Sequence, residues 1–286
     1  NGEPLGHETE LLLVTEQGLG DILLFMRYAL VLRCQNLKVS LCAQPRLHPL
    51  IQSSGIDPSP LTPEQANQVK KGRWTPLLSV PRLLEVSPSN PIITKPYIKS
   101  STELTKKWRD IISAKPKPTV GINWRGNRRD TSGQVRNIPI HIFRRINETF
   151  AGSLLCLQRG THSSEIDEII CHQKMASHQL DVLRIADSVI PEDFLEYAAI
   201  IANCDLAIAT GSTVAHVAAG MGIPTGVLLP EVRDWRWGLE GDTTFWYPSI
   251  RLFRQRERGN WDEVMERVAE ALQEHFEDKP TPNKSA

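Results

Sequence analysis

The residues able to do chemistry fall in four short stretches. In "TEQGLGDILLFMRYA", Thr15 to Ala29, an apolar run gives way to Gln17, Gly18 and Gly20 and then to a single carboxylate, Asp21. Glycines remove the Cβ atoms from a turn, so backbone N–H groups and the start of the next helix can approach a ligand. The loop lacks the third glycine of a dinucleotide fingerprint and the lysine of a P-loop. Two roles are open to Asp21. An aspartate at a helix start caps free N–H groups; at the end of a first strand, facing a cleft, it can take a proton from an acceptor hydroxyl as a general base. The roles conflict, because N–H groups that hold a carboxylate's charge also weaken it as a base.

A second stretch, "RGNRRDTSGQVRNIP", sets Arg125, Arg128, Arg129 and Arg136 against one acid, Asp130. At the carboxyl edge of a sheet such a loop is a positive rim suited to a diphosphate. Arg125, Asn127 and Arg136, with Gln158 at the end of "SLLCLQ", are the candidate contacts; a solvated basic loop is the plain alternative. The third stretch, "ATGSTVAHVAAGMGIP", brings a strand to Gly211 and starts a small-residue helix at Ser212 and Thr213. The N–H groups and hydroxyls there suit phosphate oxygens at the positive end of a helix. His216 lies one turn on, on the face of Ser212, as a phosphate contact or an interior residue. Val214, Val217, Ala218 and Met221 recur at core spacing. In the fourth, "PEVRDWRWGL", Trp235 can stack on a sugar or base and Arg236 can pair with phosphate, while Trp237 reads as packing.

These stretches must be positioned by the elements around them. The chain has 286 residues with basic and acidic side chains balanced at 33 each, enough for two lobes and without a net field that would favour nucleic acid. Five cysteines, Cys34, Cys42, Cys156, Cys171 and Cys204, form neither a disulfide framework nor a zinc pattern, which points to a reducing, cytoplasmic setting. No apolar run is long enough for a transmembrane segment. The chain opens at Asn1 without an apolar leader, and further protein is expected upstream.

"ELLLVT" (10 to 15) predicts a strand, "DILLFMRYALVL" (21 to 32) an amphipathic helix, "KVSLCA" (38 to 43) a strand and "TPLLSV" (75 to 80) a short strand. Prolines 81, 88, 91, 96, 116 and 118 around the helical "STELTKKWRDIISA" suggest a linker, with a boundary near residue 116. Beyond it strands and helices alternate: "TVGINW", "HIFRRINETF", "SLLCLQ", "SSEIDEIICHQ", "LDVLRI", "EDFLEYAAIIANC", "LAIAT", "STVAHVAAGM" and "TGVLLP". That alternation predicts an α/β fold with a doubly wound parallel sheet. "SIRLFRQ", the helix "WDEVMERVAEALQEHF" and a disordered tail, 277 to 286, complete the chain.

Taken in order, "TEQGLGDILLFMRYA", "GINWRGN", "RNIPI", "GSTVAHVAAGMGIP", "LLPEVRDWRWGL", "WYPSIRLFRQ" and "NWDEV" resemble the glycosyltransferase module found after tetratricopeptide repeats in bacterial proteins, related to the heptosyltransferases of glycosyltransferase family nine. The resemblance covers about residues 10 to 272. It implies a GT-B architecture: two Rossmann-like lobes facing each other across a cleft, residues 1–115 on the acceptor side and 116–276 binding the donor. The implied activity is inverting, metal-independent transfer of a sugar from a nucleotide-diphosphate donor to a carbohydrate, lipid-linked sugar or protein acceptor, with no cofactor. Asp21 matches the family's general base, Arg136 a basic residue near the donor phosphates, and Ser212, Thr213 and His216 the donor-phosphate helix, where His216 would orient or protonate a phosphate oxygen. Related sequences commonly carry aspartate where this chain has Gly211. A non-catalytic nucleotide-sugar-binding or scaffold module is therefore the rival reading; an NAD-type oxidoreductase lacks its third glycine.

Overall fold

The computed structural model describes residues 10–126, 137–143, 145–146, 150, 152–158, 181–183 (backbone alone), 193–232 and 234–277. The first lobe begins with β1 (Glu10–Val14), whose Leu11 and Leu13 turn inward. The single helix expected over 21 to 32 is instead two, α1 (Leu19–Phe25) and α2 (Arg27–Cys34), parted at Met26. The physical reason is Arg27: its guanidinium turns inward and its Nε donates to the Leu24 carbonyl at 2.8 Å, drawing on a helix acceptor. β2 (Lys38–Cys42), α3 (His48–Ser53), α4 (Pro63–Ala66) and β3 (Arg73–Pro76) follow, and the three strands pair in parallel in the order β2-β1-β3. β3 ends earlier than the expected 75 to 80. Pro76 has no N–H to continue a ladder, which an edge strand tolerates. Leu77–Ser79 then turn as a 3-10 helix into α5 (Val80–Leu83).

The proline-rich segment is strapped down. Tyr97 and Ile98 both donate their backbone N–H to the Gly220 carbonyl, and Lys99 donates to Ser54 of the first lobe. Ser101 caps α6 (Thr102–Ile112), whose buried Trp108 donates its indole N–H to Glu196 at 3.1 Å.

The second lobe holds β4 (Thr119–Asn123), β5 (Ser153–Cys156), β6 (Asp181–Leu183), α7 (Phe194–Ile201), β7 (Leu206–Thr210), α8 (Thr213–Gly220), β8 (Thr225–Leu229), β9 (Ile250–Arg254) and α9 (Asp262–Glu277). Its strands pair in parallel in the order β6-β5-β4-β7-β8-β9. Alternate side chains feed two cores. Ala207, Ala209, Val227 and Leu229 face one that runs on into the first lobe, and Ile208, Leu228, Val120 and Ile122 face another closed by α9. The predicted helix "SSEIDEIICHQ" and the tail 278–286 lie outside the described residues, and of "HIFRRINETF" the described start, Ile140–Phe143, is a 3-10 turn.

Chain order reverses between β4 and β7, so the loops after these strands diverge and open a crevice at their carboxyl ends. The first sheet has the same reversal between β1 and β3. α1, which follows β1, packs against α8, which follows β7, and this contact sets the two openings against each other. Among the described residues no helix is long and apolar enough to cross a membrane.

Candidate active site

A cleft of about 680 Å³ lies at these openings. Gln17, Gly18, Gly20 and Asp21 line it from the first lobe, and Arg125, Gln158, Gly211, Ser212, Thr213, His216 and Arg236 from the second. Asn127 and Arg136 lie outside the described residues.

Asp21 does not cap its helix. Gly18 occupies the N-cap of α1 and Asp21 sits within the first turn, its own N–H bonded to the Gly18 carbonyl at 3.0 Å. Its side chain, 8% exposed, meets Arg236 of the other lobe: Nε at 2.6 Å and Nη2 at 2.5 Å, both on Oδ1. Among the described residues Oδ2 has no hydrogen-bond partner. Arg236 is placed by the 3-10 turn Trp235–Trp237, which Asp234 caps, and its Nη1 returns to Asp234 at 3.0 Å. Burial alone would lower the Arg236 pKa; Asp21 and Asp234 reverse that and hold it above the ordinary guanidinium value.

Across the cleft, a polar knot ties the ends of three strands. Asn123, the last residue of β4, donates Nδ2 to Gln158 Oε1 at 2.8 Å and accepts from the hydroxyls of Ser212 at 2.7 Å and Thr210 at 3.3 Å. Gln158 Oε1 also accepts the Arg125 N–H at 2.8 Å. Ser212 turns its hydroxyl to Asn123 and makes no side-chain cap on α8. The first N–H groups of that helix therefore present a positive end to the cleft. A Cβ on Gly211 would stand 3.0 Å from the Trp237 indole nitrogen, so any larger residue there would require Trp237 to shift.

His216 is buried at the back wall, stacked on Trp237 with ring centroids 5.2 Å apart, its Nδ1 3.0 Å from the Tyr247 hydroxyl. Gly20 makes room for it: a Cβ there would lie 2.9 Å from His216 Cδ2. Trp235 is not brought into the cleft. It is 57% exposed and stacked nearly parallel on Phe25, because the turn that aims Arg236 inward faces its neighbour outward.

Sequence reasoning passed over Asn123, Gln44, Arg46 and Tyr197, all of which line the cleft. The signal available was position, since Asn123 ends β4 and Gln44 and Arg46 follow β2, each at the carboxyl edge of a parallel sheet.

Two parallel sheets in facing lobes, with the cleft at their switch points, give the chain the α/β fold of GT-B glycosyltransferases. It superposes on a glycosyl transferase family 9 protein from Veillonella parvula with a TM-score of 0.66 at 12% identity, covering 98% of this chain and 100% of that one. The ADP-heptose lipopolysaccharide heptosyltransferase II of E. coli follows with a TM-score of 0.63 at 12% identity, over 93% of this chain and 99% of that one. By sequence the chain is 27% identical to Protein FlbA of Caulobacter vibrioides over 161 residues, 56% of this chain and 26% of FlbA, so it spans about a quarter of that relative's length. No family model matches the chain.

Proposed function

We propose that the chain is an inverting, metal-independent glycosyltransferase that moves a sugar from a nucleoside diphosphate donor to a hydroxyl acceptor. One observation carries this reading: Asp21 of one lobe and the start of α8 at Ser212 and Thr213 of the other line a single cleft. Asp21, held at Oδ1 by Arg236, takes the acceptor's hydroxyl proton on Oδ2. The acceptor oxygen bonds to the anomeric carbon as that carbon's bond to the diphosphate oxygen breaks, which inverts the centre. The diphosphate leaves with the electron pair, and the N–H groups of α8 with Arg46 and Arg125 meet its charge. The likeness in fold to solved glycosyltransferases supports the reaction class.

The test is sugar transfer from a panel of nucleoside diphosphate sugars, with wild type and Asp21→Asn. Loss of transfer with donor binding kept supports the assignment; activity within a few-fold of wild type removes Asp21 as the base. A second reading, nucleotide-sugar binding without transfer, draws on Gly211 standing where related sequences carry aspartate. Calorimetric binding of a donor with neither transfer nor donor hydrolysis selects it.

A further inference from the structure

Arg27 starts α2 in the first lobe and is buried, 1% exposed, and among the described residues no carboxylate pairs with it. Its guanidinium nitrogens are divided between the lobes. Nε donates to the Leu24 carbonyl at 2.8 Å, Nη2 to the hydroxyl of Tyr97 in the proline-rich segment at 3.0 Å, and Nη1 to the Trp246 carbonyl of the second lobe at 2.7 Å. The guanidinium carbon stands 4.3 Å from the Tyr97 ring centre and 4.4 Å from that of Tyr247, so two ring faces hold the charge. Burial alone would lower the Arg27 pKa; Tyr97, Tyr247 and Tyr28 outweigh it and hold it above the ordinary value, so the group stays charged. Tyr97 closes the ring of contacts by donating its hydroxyl to the Leu23 carbonyl at 2.6 Å, 3.1 Å from the Tyr247 hydroxyl.

The surroundings of this cation are apolar and continuous across the lobes. Leu23 and Phe25 of α1 belong to one buried cluster with Val217 of α8 and with Trp246 and Tyr247, and Phe25 meets Trp246 edge-on at 5.5 Å. The Gly220 carbonyl takes the N–H groups of Tyr97 and Ile98, and a Cβ on Gly220 would stand 2.5 Å from Ile98 Cδ1, so the connecting segment lies directly on α8. A second contact joins other elements: α7 packs on α3 of the first lobe as well as on α6. Interfaces between units of one chain are ordinarily small and polar, which leaves relative motion as the default; a large apolar one removes it. Parting the lobes would strip Arg27 of its Trp246 and Tyr247 partners, and a buried charge that loses its partners is strongly destabilising.

We propose that Arg27, held between Tyr97 and Tyr247, latches the two lobes into one rigid body, so that the cleft keeps a single width whether empty or occupied and ligands enter a preformed site without hinge closure. The latch acts whichever reaction the cleft performs.

The experiment is pulsed electron–electron spin resonance on the full chain, with spin labels at Leu83 of the first lobe and Gln273 of the second, both exposed, coupled through keto amino acids so that the five cysteines stay untouched. UDP, GDP and ADP are added, each with and without an attached hexose, and calorimetry shows which of them bind. We expect one narrow distance distribution in the free protein, unmoved by every nucleotide that binds. A broad or two-peaked distribution, or a shift of more than about 2 Å on binding, overturns the latch. If none binds, the free-protein distribution decides. Arg27→Met keeps an apolar stem and removes the charge, and it should broaden the distribution or add a second distance; an unchanged narrow peak refutes the role of Arg27. Should that variant fail to fold, Arg27→Lys keeps the charge and loses the planar fork, and the same two outcomes decide.

Discussion

Arg236 reaches across the cleft to Asp21, with Nε at 2.6 Å and Nη2 at 2.5 Å from the same carboxylate oxygen, joining residues 215 positions apart in sequence. Removing the guanidinium alone leaves a buried carboxylate facing Asp234 without its partner. Arg236→Gln should therefore lower unfolding free energy by roughly 3 kcal/mol, and the double variant with Asp21→Asn should recover part of that loss. Chemical denaturation of the four proteins measures the coupling; additive effects would mean the pair is not energetically engaged.

Asp21→Asn keeps shape and removes the proposed base. Transfer should fall by about 10² to 10⁴-fold, the usual contribution of general base catalysis, with nucleotide affinity changed little. Initial rates and calorimetry on the same preparations separate the two effects.

Gly20 is the point where α1 lies against His216. Gly20→Ala places a methyl 2.9 Å from His216 Cδ2 and 3.2 Å from Nε2, in a wall held by Trp237 and Tyr247. Over-packing of this kind costs about 1–3 kcal/mol. The thermal midpoint should fall, and the His216 imidazole resonances should move in the folded variant.

The two tryptophans of the "DWRWG" turn should behave oppositely. Trp235 stands outside the cleft and is mostly exposed, so Trp235→Ala should leave nucleotide affinity within about twofold, near the small effects usual for surface sites. Trp237 is buried against His216, and Trp237→Ala should cost about 3–5 kcal/mol of stability. Denaturation midpoints and nucleotide titrations distinguish them.

Stability should fall at alkaline pH. Burial, with Asp205 next, pushes the Cys204 thiol from 9.0 to about 12, and burial, with Tyr97 adding to it against Arg27, pushes the Tyr28 phenol from 10.0 to about 12. Both pKa values are raised by folding, so the unfolded chain loses these protons first. The stability associated with them is intact below about pH 9 and is lost as pH rises through about 12. Each group contributes a slope of at most about 1.4 kcal/mol per pH unit in that window. Urea unfolding at pH 8, 10 and 11 measures it; a flat profile would mean these side chains are not protected in the folded state.

Much of the architecture was legible from local pattern. Buried strands such as "LAIAT" and "TGVLL" read as strands because both faces of a parallel sheet are covered, and Gly18, Gly20 and Gly211 marked turns where backbone meets a cleft. Ser212 and Thr213 were legible for the same reason, since a strand, a glycine and a small-residue helix form one local unit. The break at Met26 was not, because its cause is a guanidinium turned toward residues 70 and 219 positions away. Asn123 had only its position at a strand end to mark it, and the convergence of three other polar groups on it depends on segments distant in the chain.

The sequence by itself determined the strands, the glycine turns and the small-residue helix start that line the cleft, because helix and strand periods and glycine freedom act over a few residues. Tertiary structure alone decided that Asp21 is clamped by Arg236 instead of capping its helix, that Trp235 faces outward, and that His216 is stacked on Trp237 beside Tyr247. Those outcomes depend on directed hydrogen bonds and ion pairs between segments distant in the chain, and such bonds exist only once the two lobes have packed.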